Sequence, residues 1–116
     1  MKRILMIEDD EQYQELIKTA LEKVNLDVII ASDGQKAIEL VKKHSFDLIL
    51  LDLLLPKVDG VTFYHYLRSV LKMQTPVVVL TNVGDTTAYD PTIKDVLIKS
   101  NVSLADIVRK VQEYVR

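Results

Sequence analysis

The fold of this chain is decided by residues 48–60, which read Leu48-Ile49-Leu50-Leu51-Asp52-Leu53-Leu54-Leu55-Pro56-Lys57-Val58-Asp59-Gly60. Four consecutive apolar residues predict a strand that is buried on both faces, and Asp52 follows directly at its carboxyl end. A carboxylate in that position is costly to remove from water unless a cation or hydrogen-bond donors meet it. The stretch therefore predicts a parallel sheet with charged chemistry where the strand ends.

Four further apolar runs share this unbroken character, at residues 4–7, 28–31, 77–80 and 96–98. Continuous apolar runs are typical of strands covered on both faces. Three of these runs end in polar residues, which are Glu8-Asp9-Asp10, Thr81 and Lys99. Four strand ends therefore offer acids, a hydroxyl group and an ammonium group.

Helical patterns separate the strands. Asp10 is the predicted N-cap of the first helix, the second opens at Asp33-Gly34, the third covers residues 61–71, and Ser103 caps the last. Residues 82–93 contain a glycine, a proline and several threonines, which disfavour a long helix. We expect one or two turns there, or a loop. Lys57 and Asp59 are expected on the loop surface.

Strictly alternating strands and helices predict an α/β three-layer sandwich with right-handed crossovers. At 116 residues the chain has room for one core, so residues 1–116 are expected to form a single domain with no output domain. Any signal would then have to leave through the surface of this domain.

The composition excludes several classes of protein. With 15 basic and 17 acidic residues the net charge is −2, and the basic residues are scattered, which argues against direct binding of nucleic acid. Cysteine is absent, which excludes disulfides, thiolate metal sites and cysteine nucleophiles. The sequence has no signal peptide pattern and no apolar stretch of about 18 residues. We therefore expect a cytoplasmic protein that does not bind membranes.

The polar strand ends meet if the strand order is 2-1-3-4-5, because ligands of open parallel sheets bind at the carboxyl ends of the strands. Glu8, Asp9 and Asp52 would then converge at the switch point. Three adjacent carboxylates repel one another, and a divalent cation relieves that repulsion. Mg²⁺ accepts oxygen ligands in octahedral geometry and is commonly held by one or two carboxylates together with a phosphate.

Such a site suits phosphoryl transfer. Asp52 can attack as a carboxylate nucleophile and form an acyl phosphate. Mg²⁺ and the Lys99 ammonium can neutralise the charge that develops on the phosphoryl group. Thr81 can donate a hydrogen bond to a phosphoryl oxygen, and movement of its hydroxyl group would rearrange the loop that follows it.

Over essentially its whole length the chain resembles the receiver domain of two-component response regulators, including the single-domain chemotaxis-type regulators. The resemblance implies a flavodoxin-like fold, with a five-stranded parallel sheet of order 2-1-3-4-5 and five flanking helices, of which the fourth is short or irregular here. It depends on residues 4–9, the Asp33-Gly34 turn, Asp52 with Pro56 and Gly60 four and eight positions later, Thr81, and Lys99.

The resemblance also assigns roles to individual positions. Asp52 matches the aspartate that accepts a phosphoryl group from a histidine kinase or phosphotransfer protein, Thr81 matches the switch hydroxyl, and Lys99 matches the lysine that pairs with the phosphoryl group. The family requires Mg²⁺. The chain would thus be a phosphorylated signalling domain that acts on an unknown downstream protein, as a monomer or a weak dimer, and not an enzyme with an external substrate.

The metal ligands implied by the resemblance are Asp9 directly, Glu8 through water, Asp52, and the backbone carbonyl of Leu54. The acid pair could also be Asp9 and Asp10. We favour Glu8 and Asp9, because the family's acids follow the apolar strand immediately, which leaves Asp10 to cap the helix.

Several positions depart from the family pattern. The strand before Lys99 is aliphatic where many receivers carry an aromatic switch residue, Ser100 replaces the usual proline, and Asn82 replaces a small residue. Leu54 and Val83 occupy positions that flank the route of the hydrolytic water, and neither side chain can orient water. We therefore expect a comparatively long-lived acyl phosphate.

Two alternatives remain at this stage. The first is a binding module that has kept the pocket but signals by constitutive interaction, which the altered readout positions allow. The second is a Mg²⁺-dependent phosphatase, which would need a general acid two residues beyond the nucleophile, where this chain has Leu54.

Overall fold

The computed structural model describes residues 1–82 and 90–116. All strand pairs are parallel, and the sheet order is β2-β1-β3-β4-β5. The strands are β1 Arg3–Ile7, β2 Asp27–Ala31, β3 Leu48–Leu51, β4 Val77–Thr81 and β5 Asp95–Ile98. This architecture confirms the predicted fold class and strand order, and the five apolar runs are the five strands to within one residue at either end.

Four α-helices are found in the described part of the chain, which are α1 Glu11–Glu22, α2 Gly34–Lys43, α3 Gly60–His65 and α4 Leu104–Val115. A π-helical turn, Tyr66–Val70, extends α3. The predicted short fourth helix falls mainly on residues 83–89, which lie outside the described residues. Residues 90–94 contain a turn at 91–92 and no helix. None of the described helices is long and apolar enough to span a membrane.

Side chains cap all four helices at the start. Asp10 and Ser103 act as N-caps, as predicted, and Ser103 forms a reciprocal capping box with Asp106. Asp33 is the N-cap of α2, which begins at the predicted Asp33-Gly34 position. Asp59 is exposed, as expected for a loop residue, but it also caps α3 by accepting a hydrogen bond from the Thr62 backbone N–H. Each cap contributes about 1 kcal/mol.

Two layers of helices cover the sheet. Helices α1 and α4 pack on one face through buried apolar residues that include Ile17, Leu21, Ile107 and Val111. Helices α2 and α3 pack on the other face. Every residue of β3 is buried, since β3 lies at the centre of the sheet with helices on both sides. This arrangement explains the unbroken apolar run that precedes Asp52.

Gly60 allows the chain to fold back over the end of β3. A Cβ atom at this position would lie 2.4 Å from the Asp52 carbonyl oxygen and 2.5 Å from the Leu53 Cα atom. The Gly60 N–H donates a hydrogen bond to the Leu53 carbonyl oxygen at 3.0 Å. Only glycine fits so close to another backbone, which is the physical reason for glycine eight residues after Asp52.

Candidate functional site

The register of the sheet places the acidic residues side by side. Ile7 of β1 pairs with Leu51 of β3, so that Glu8 and Asp52 are the next residues on adjacent strands. Glu8 and Asp52 are buried, with 2% and 6% of their surface exposed, while Asp9 is exposed. One carboxylate oxygen from each of the three residues lies within 4.8 Å of the others. The structure therefore brings together the three acids predicted from the sequence.

Asp52 receives hydrogen bonds on both carboxylate oxygens. The Thr81 hydroxyl donates to Oδ1 at 2.8 Å, and the Leu54 backbone N–H donates to the same oxygen at 3.1 Å. The Lys99 ammonium donates to Oδ2 at 3.0 Å. Because Thr81 ends β4 and the Lys99 N–H bonds to the Thr81 carbonyl at 2.9 Å, the sheet itself positions both donors.

Lys99 joins the two buried acids. Its ammonium group forms ion pairs with Glu8 and Asp52, and only 14% of its side-chain surface is exposed. Burial alone would lower the pKa of Lys99, but the two carboxylates outweigh burial and raise it above the usual value. Lys99 therefore carries a positive charge at neutral pH.

The Glu8 carboxylate accepts hydrogen bonds from two donors, yet burial still disfavours its ionised form. Burial raises the pKa of the Glu8 carboxyl, although hydrogen bonds from Lys99 and from the Asp10 backbone N–H at 3.0 Å act to lower it. The charge of Asp52 raises the pKa of Glu8 further. An additional cation in the pocket would favour the ionised form of Glu8.

The donor set fits a hard divalent cation. Three carboxylates and the Lys99 ammonium give the pocket a formal charge of −2. Each of the three acids can offer a metal ion a carboxylate oxygen as ligand. Oxygen donors of this charge suit Mg²⁺. Leu54, whose carbonyl the resemblance adds to this set, is adjacent through the hydrogen bond from its N–H to Asp52.

Asp10 does not belong to this acidic group. Its carboxylate accepts hydrogen bonds from the backbone N–H groups of Gln12 and Tyr13, at 3.0 and 3.3 Å. Asp10 is therefore the N-cap of α1, as expected. Its engagement there favours Glu8 and Asp9 over the alternative acid pair, Asp9 and Asp10.

Tyr13 contributes to the site and was not predicted to do so. Its ring lies 4.5 Å from the Lys99 ammonium, within the range of a cation–π interaction. The sequence pattern placed Tyr13 only on the apolar face of α1. Tyr13 lies in the first turn of the helix that follows β1, and such a residue is close to the carboxyl edge of the sheet. That position in the sequence could have identified Tyr13 as part of the site.

A second polar cluster lies beside α3. Asp90 is 8% exposed and accepts hydrogen bonds from the Thr92 N–H at 2.8 Å and from the Thr92 hydroxyl at 2.6 Å. His65 lies 3.3 Å from the other Asp90 oxygen, and the Tyr64 hydroxyl is 3.0 Å from that of Thr92. These bonds attach the segment before β5 to α3, and the sequence did not predict them.

Of the two positions expected to flank the route of the hydrolytic water, Leu54 and Val83, the structure describes Leu54. Leu54 has 61% of its surface exposed beside the Asp52 pocket, so an apolar side chain borders the approach to the carboxylate. Val83 lies outside the described residues.

A doubly wound parallel sheet with a carboxylate, a hydroxyl and a lysine around an acidic rim defines a class of phosphoryl-accepting α/β domains. The chain belongs to the response regulator receiver domain family, whose model matches residues 4–112. Receiver domains of two-component response regulators accept a phosphoryl group on an aspartate from histidine kinases. The resemblance seen in the sequence is thereby confirmed.

Similar proteins support this assignment. The transcriptional regulatory protein SrrA of Staphylococcus aureus is 32% identical over 117 aligned positions, which cover 97% of this chain and 47% of SrrA. The chain thus spans about half the length of the curated relatives it matches.

Solved structures show the same architecture. The receiver domain of Francisella response regulator 1452 is 26% identical, with a TM-score of 0.89 and coverage of 99% of this chain and 97% of that one. The BeF3-activated N-terminal receiver domain of Klebsiella pneumoniae RstA is 28% identical, with a TM-score of 0.88 and 99% of each chain covered.

Proposed function

We propose that residues 1–116 act as one receiver unit that accepts a phosphoryl group on Asp52 from a histidine kinase or phosphotransfer protein, with Mg²⁺ as cofactor, and then signals through protein–protein contact. One observation carries this proposal. The Asp52 carboxylate is buried at the end of β3, between the Thr81 hydroxyl and the Lys99 ammonium, with Glu8 and Asp9 alongside.

The transfer would be a direct displacement at phosphorus. A carboxylate oxygen of Asp52 forms the new O–P bond while the N–P bond of the donor phosphohistidine breaks, and the departing imidazole nitrogen keeps the electron pair. A carboxylate oxygen attacks without giving up a proton, so the step needs no general base. The absence of an acid at the position of Leu54 is therefore no obstacle to acceptance.

Glu8, Asp9, Asp52 and the Leu54 carbonyl would hold Mg²⁺, which when bound supplies positive charge to the phosphoryl oxygens. Lys99 supplies a second positive charge through the ammonium group that now contacts both Glu8 and Oδ2 of Asp52. Without a cation, the two negative charges left in the pocket would repel an incoming phosphoryl donor.

Thr81 would change partner on phosphorylation. Its hydroxyl now donates to Oδ1 of Asp52 at 2.8 Å. Once one carboxylate oxygen is bonded to phosphorus, a phosphoryl oxygen becomes the more negative acceptor, and the hydroxyl turns toward it. Because Thr81 is the last residue of β4, its movement displaces the start of the segment that leads to Asp90.

Beryllofluoride together with Mg²⁺ tests the pocket without a kinase. The adduct forms on a carboxylate that can be phosphorylated and gives bound ¹⁹F resonances. We expect these resonances in the wild type and their loss in Asp52→Asn. The matched control is Asp59→Asn, an exposed acid on the same loop, because asparagine caps a helix as well as aspartate does.

Absence of the adduct in the wild type would contradict the proposal and would favour the alternative of a binding module that signals without phosphorylation. An adduct that persists in Asp52→Asn would place the acceptor elsewhere. Loss of the adduct in Asp59→Asn as well would show that charge on the loop, and not Asp52 itself, is what matters.

A further inference from the structure

A pocket of about 410 Å³ lies between the π-helical turn after α3, the starts of β4 and β5, and the last turn of α4. Its lining includes two tyrosines, Tyr64 and Tyr114, and two cations, Arg68 and Lys94. Lys94 directly precedes β5, so the pocket lies at the amino edge of the sheet, opposite the carboxyl edge that holds Asp52. The pocket is therefore separate from the proposed phosphorylation site.

Two irregular features of the backbone form the wall that carries Arg68. Arg68 lies within the π-helical turn Tyr66–Val70, and such turns are rare and occur frequently at functional sites. Lys72, which follows the end of this turn, has a φ of 56°, in the left-handed region where glycine is usual. A lysine in that conformation is strained. Neither feature favours stability, so both point to a functional role for the wall they shape.

The Arg68 guanidinium group is held in place while further N–H donors remain available. Its Cζ atom lies 5.0 Å from the centroid of the Tyr64 ring, within the range of a cation–π interaction. Nη1 donates a hydrogen bond to the Met73 carbonyl oxygen at 2.9 Å. A guanidinium group has several more N–H donors. Within residues 1–82 and 90–116, Arg68 forms no ion pair with an acid.

The charges around the pocket favour an anion. Lys94 is exposed and, like Arg68, has no acidic partner in the part of the chain that the structure describes. Asp95 is the acid in the lining, and the Lys110 ammonium lies 3.7 Å from its carboxylate. Because Asp95 already has a cation beside it, Arg68 and Lys94 leave the pocket attractive to a negative group.

The aromatic part of the pocket combines a fixed ring with an exposed one. Tyr64 is buried, and its hydroxyl lies 3.0 Å from the Thr92 hydroxyl, so this wall is fastened to the segment before β5. Tyr114, by contrast, has 38% of its surface exposed. An exposed tyrosine ring beside two cations suits a ligand that has both a planar ring and an anionic group. The volume of the pocket lies within the range of small-molecule sites.

We propose that this pocket binds a nucleoside monophosphate. The phosphate lies between Arg68 and Lys94, since a guanidinium group donates paired hydrogen bonds to phosphate oxygens. The base stacks on the exposed ring of Tyr114, a contact that any base can make. Gln74 and Thr92 in the same lining offer polar groups to the ribose. Inorganic phosphate would leave the Tyr114 ring uncovered, and an uncharged nucleoside would leave both cations unpaired.

The proposed nucleotide site goes beyond phosphorylation of Asp52 and leaves the Asp52 pocket free. The two pockets lie at opposite edges of the sheet, and a strand with the 5 residues of β4 spans about 15 Å. Asp52→Asn should therefore bind the nucleotide like the wild type. Failure of the phosphorylation proposal and failure of the nucleotide site are thus separate outcomes.

Titration of the ¹⁵N-labelled chain with adenosine 5′-monophosphate, followed by amide chemical shifts, tests the proposal. EDTA in the buffer keeps divalent cations from bringing the nucleotide to the acidic pocket around Asp52. We expect saturable shifts at residues 92–95 and 112–115. The dissociation constant should be at least about tenfold lower than those of adenosine and of inorganic phosphate, because neither engages both the ring and the cations.

Variants of exposed residues identify the contacts. Lys94→Gln should weaken binding of adenosine 5′-monophosphate about fivefold, since it removes one positive charge from the phosphate. Tyr114→Leu should weaken it about tenfold, whereas Tyr114→Phe keeps the ring and should bind like the wild type. The matched control is Lys23→Gln, a change at an exposed lysine outside this pocket, which should leave binding unchanged. Circular dichroism of each variant checks that the fold is intact.

Four results would overturn the proposal. The first is the absence of saturable shifts with adenosine 5′-monophosphate up to about 1 mM, the weak limit of specific affinity. The second is equal affinity for inorganic phosphate, which would show that the ring is not recognised. The third is equal weakening by Lys94→Gln and Lys23→Gln. The fourth is loss of binding in Asp52→Asn, which would place the nucleotide in the acidic pocket.

Discussion

Asparagine in place of Asp52 removes one negative charge from a buried pocket while keeping the shape of the side chain. The charge of Asp52 attracts Lys99 across 3.0 Å and repels Glu8 and Asp9, with oxygen atoms within 4.8 Å. Its effect on the free energy of unfolding is the difference between these opposing interactions. That difference depends on whether Mg²⁺ is present.

Without Mg²⁺, the attraction of Asp52 to Lys99 and its repulsion from Glu8 and Asp9 nearly cancel. At an effective dielectric constant of about 20, the ion pair with Lys99 contributes about 5.5 kcal/mol, and each like-charged pair costs about 3.5 kcal/mol. Solvent screens the repulsion from Asp9, because Asp9 is exposed. We therefore expect Asp52→Asn to change the free energy of unfolding by about 1 kcal/mol or less, well below the 3–5 kcal/mol typical of a broken buried ion pair.

Mg²⁺ should stabilise the wild type more than Asp52→Asn. At about ten times its dissociation constant, a bound ligand adds about 1.4 kcal/mol to the free energy of unfolding. For a domain of this size that corresponds to a rise in Tm of about 5 °C. We expect this rise in the wild type and a much smaller one in Asp52→Asn, because the variant offers the metal one carboxylate fewer.

Thermal unfolding followed by circular dichroism, with and without Mg²⁺, measures both quantities. Asp59→Asn serves as the control, since it removes a charge outside the pocket and keeps the helix cap. The reasoning is refuted if Asp52→Asn loses about 3 kcal/mol or more in metal-free buffer, the range of a broken buried ion pair. Equal metal-dependent gains in the wild type and Asp52→Asn would refute it as well.

Three further predictions concern the lifetime of the acyl phosphate, the positioning of Lys99 and the pH dependence of stability. Leu54→Asn should hasten decay of the acyl phosphate severalfold, because the amide can orient the water that the leucine cannot, and phosphoryl release measures the change. Tyr13→Leu should slow phosphorylation by acetyl phosphate, since it removes the ring 4.5 Å from the Lys99 ammonium, while Tyr13→Phe should not. Hydrogen bonds from Thr92 lower the pKa of Asp90. The stability that Asp90 contributes is therefore fully present above its unfolded pKa of about 3.9 and is lost as the pH falls toward the folded pKa, so urea titrations should show Asp90→Asn approaching the wild type only in acid.

The features that the sequence predicted well all have local causes. A strand buried on both faces requires a continuous apolar run, and a helix that follows a strand requires a capping side chain at its start. The positions of β3 and of the caps Asp10, Asp33 and Ser103 follow from these requirements. The convergence of Glu8 and Asp52 then follows from strand order alone.

The features that were missed depend on the reach and direction of individual side chains. The contact between Tyr13 and Lys99 and the contact between His65 and Asp90 join residues far apart in the chain. No spacing rule predicts which rotamer will bring such groups together. The π-helical turn after α3 was missed for a similar reason, since its residues have an ordinary helical pattern.

The most direct test of the central claim is to locate the phosphoryl group. The chain is incubated with acetyl phosphate and Mg²⁺, reduced with borohydride to convert an aspartyl phosphate into homoserine, and mapped by mass spectrometry. The account predicts one modified residue, Asp52, and no modification when Mg²⁺ is withheld. Modification of any other residue, or none in the presence of donor and metal, would contradict it.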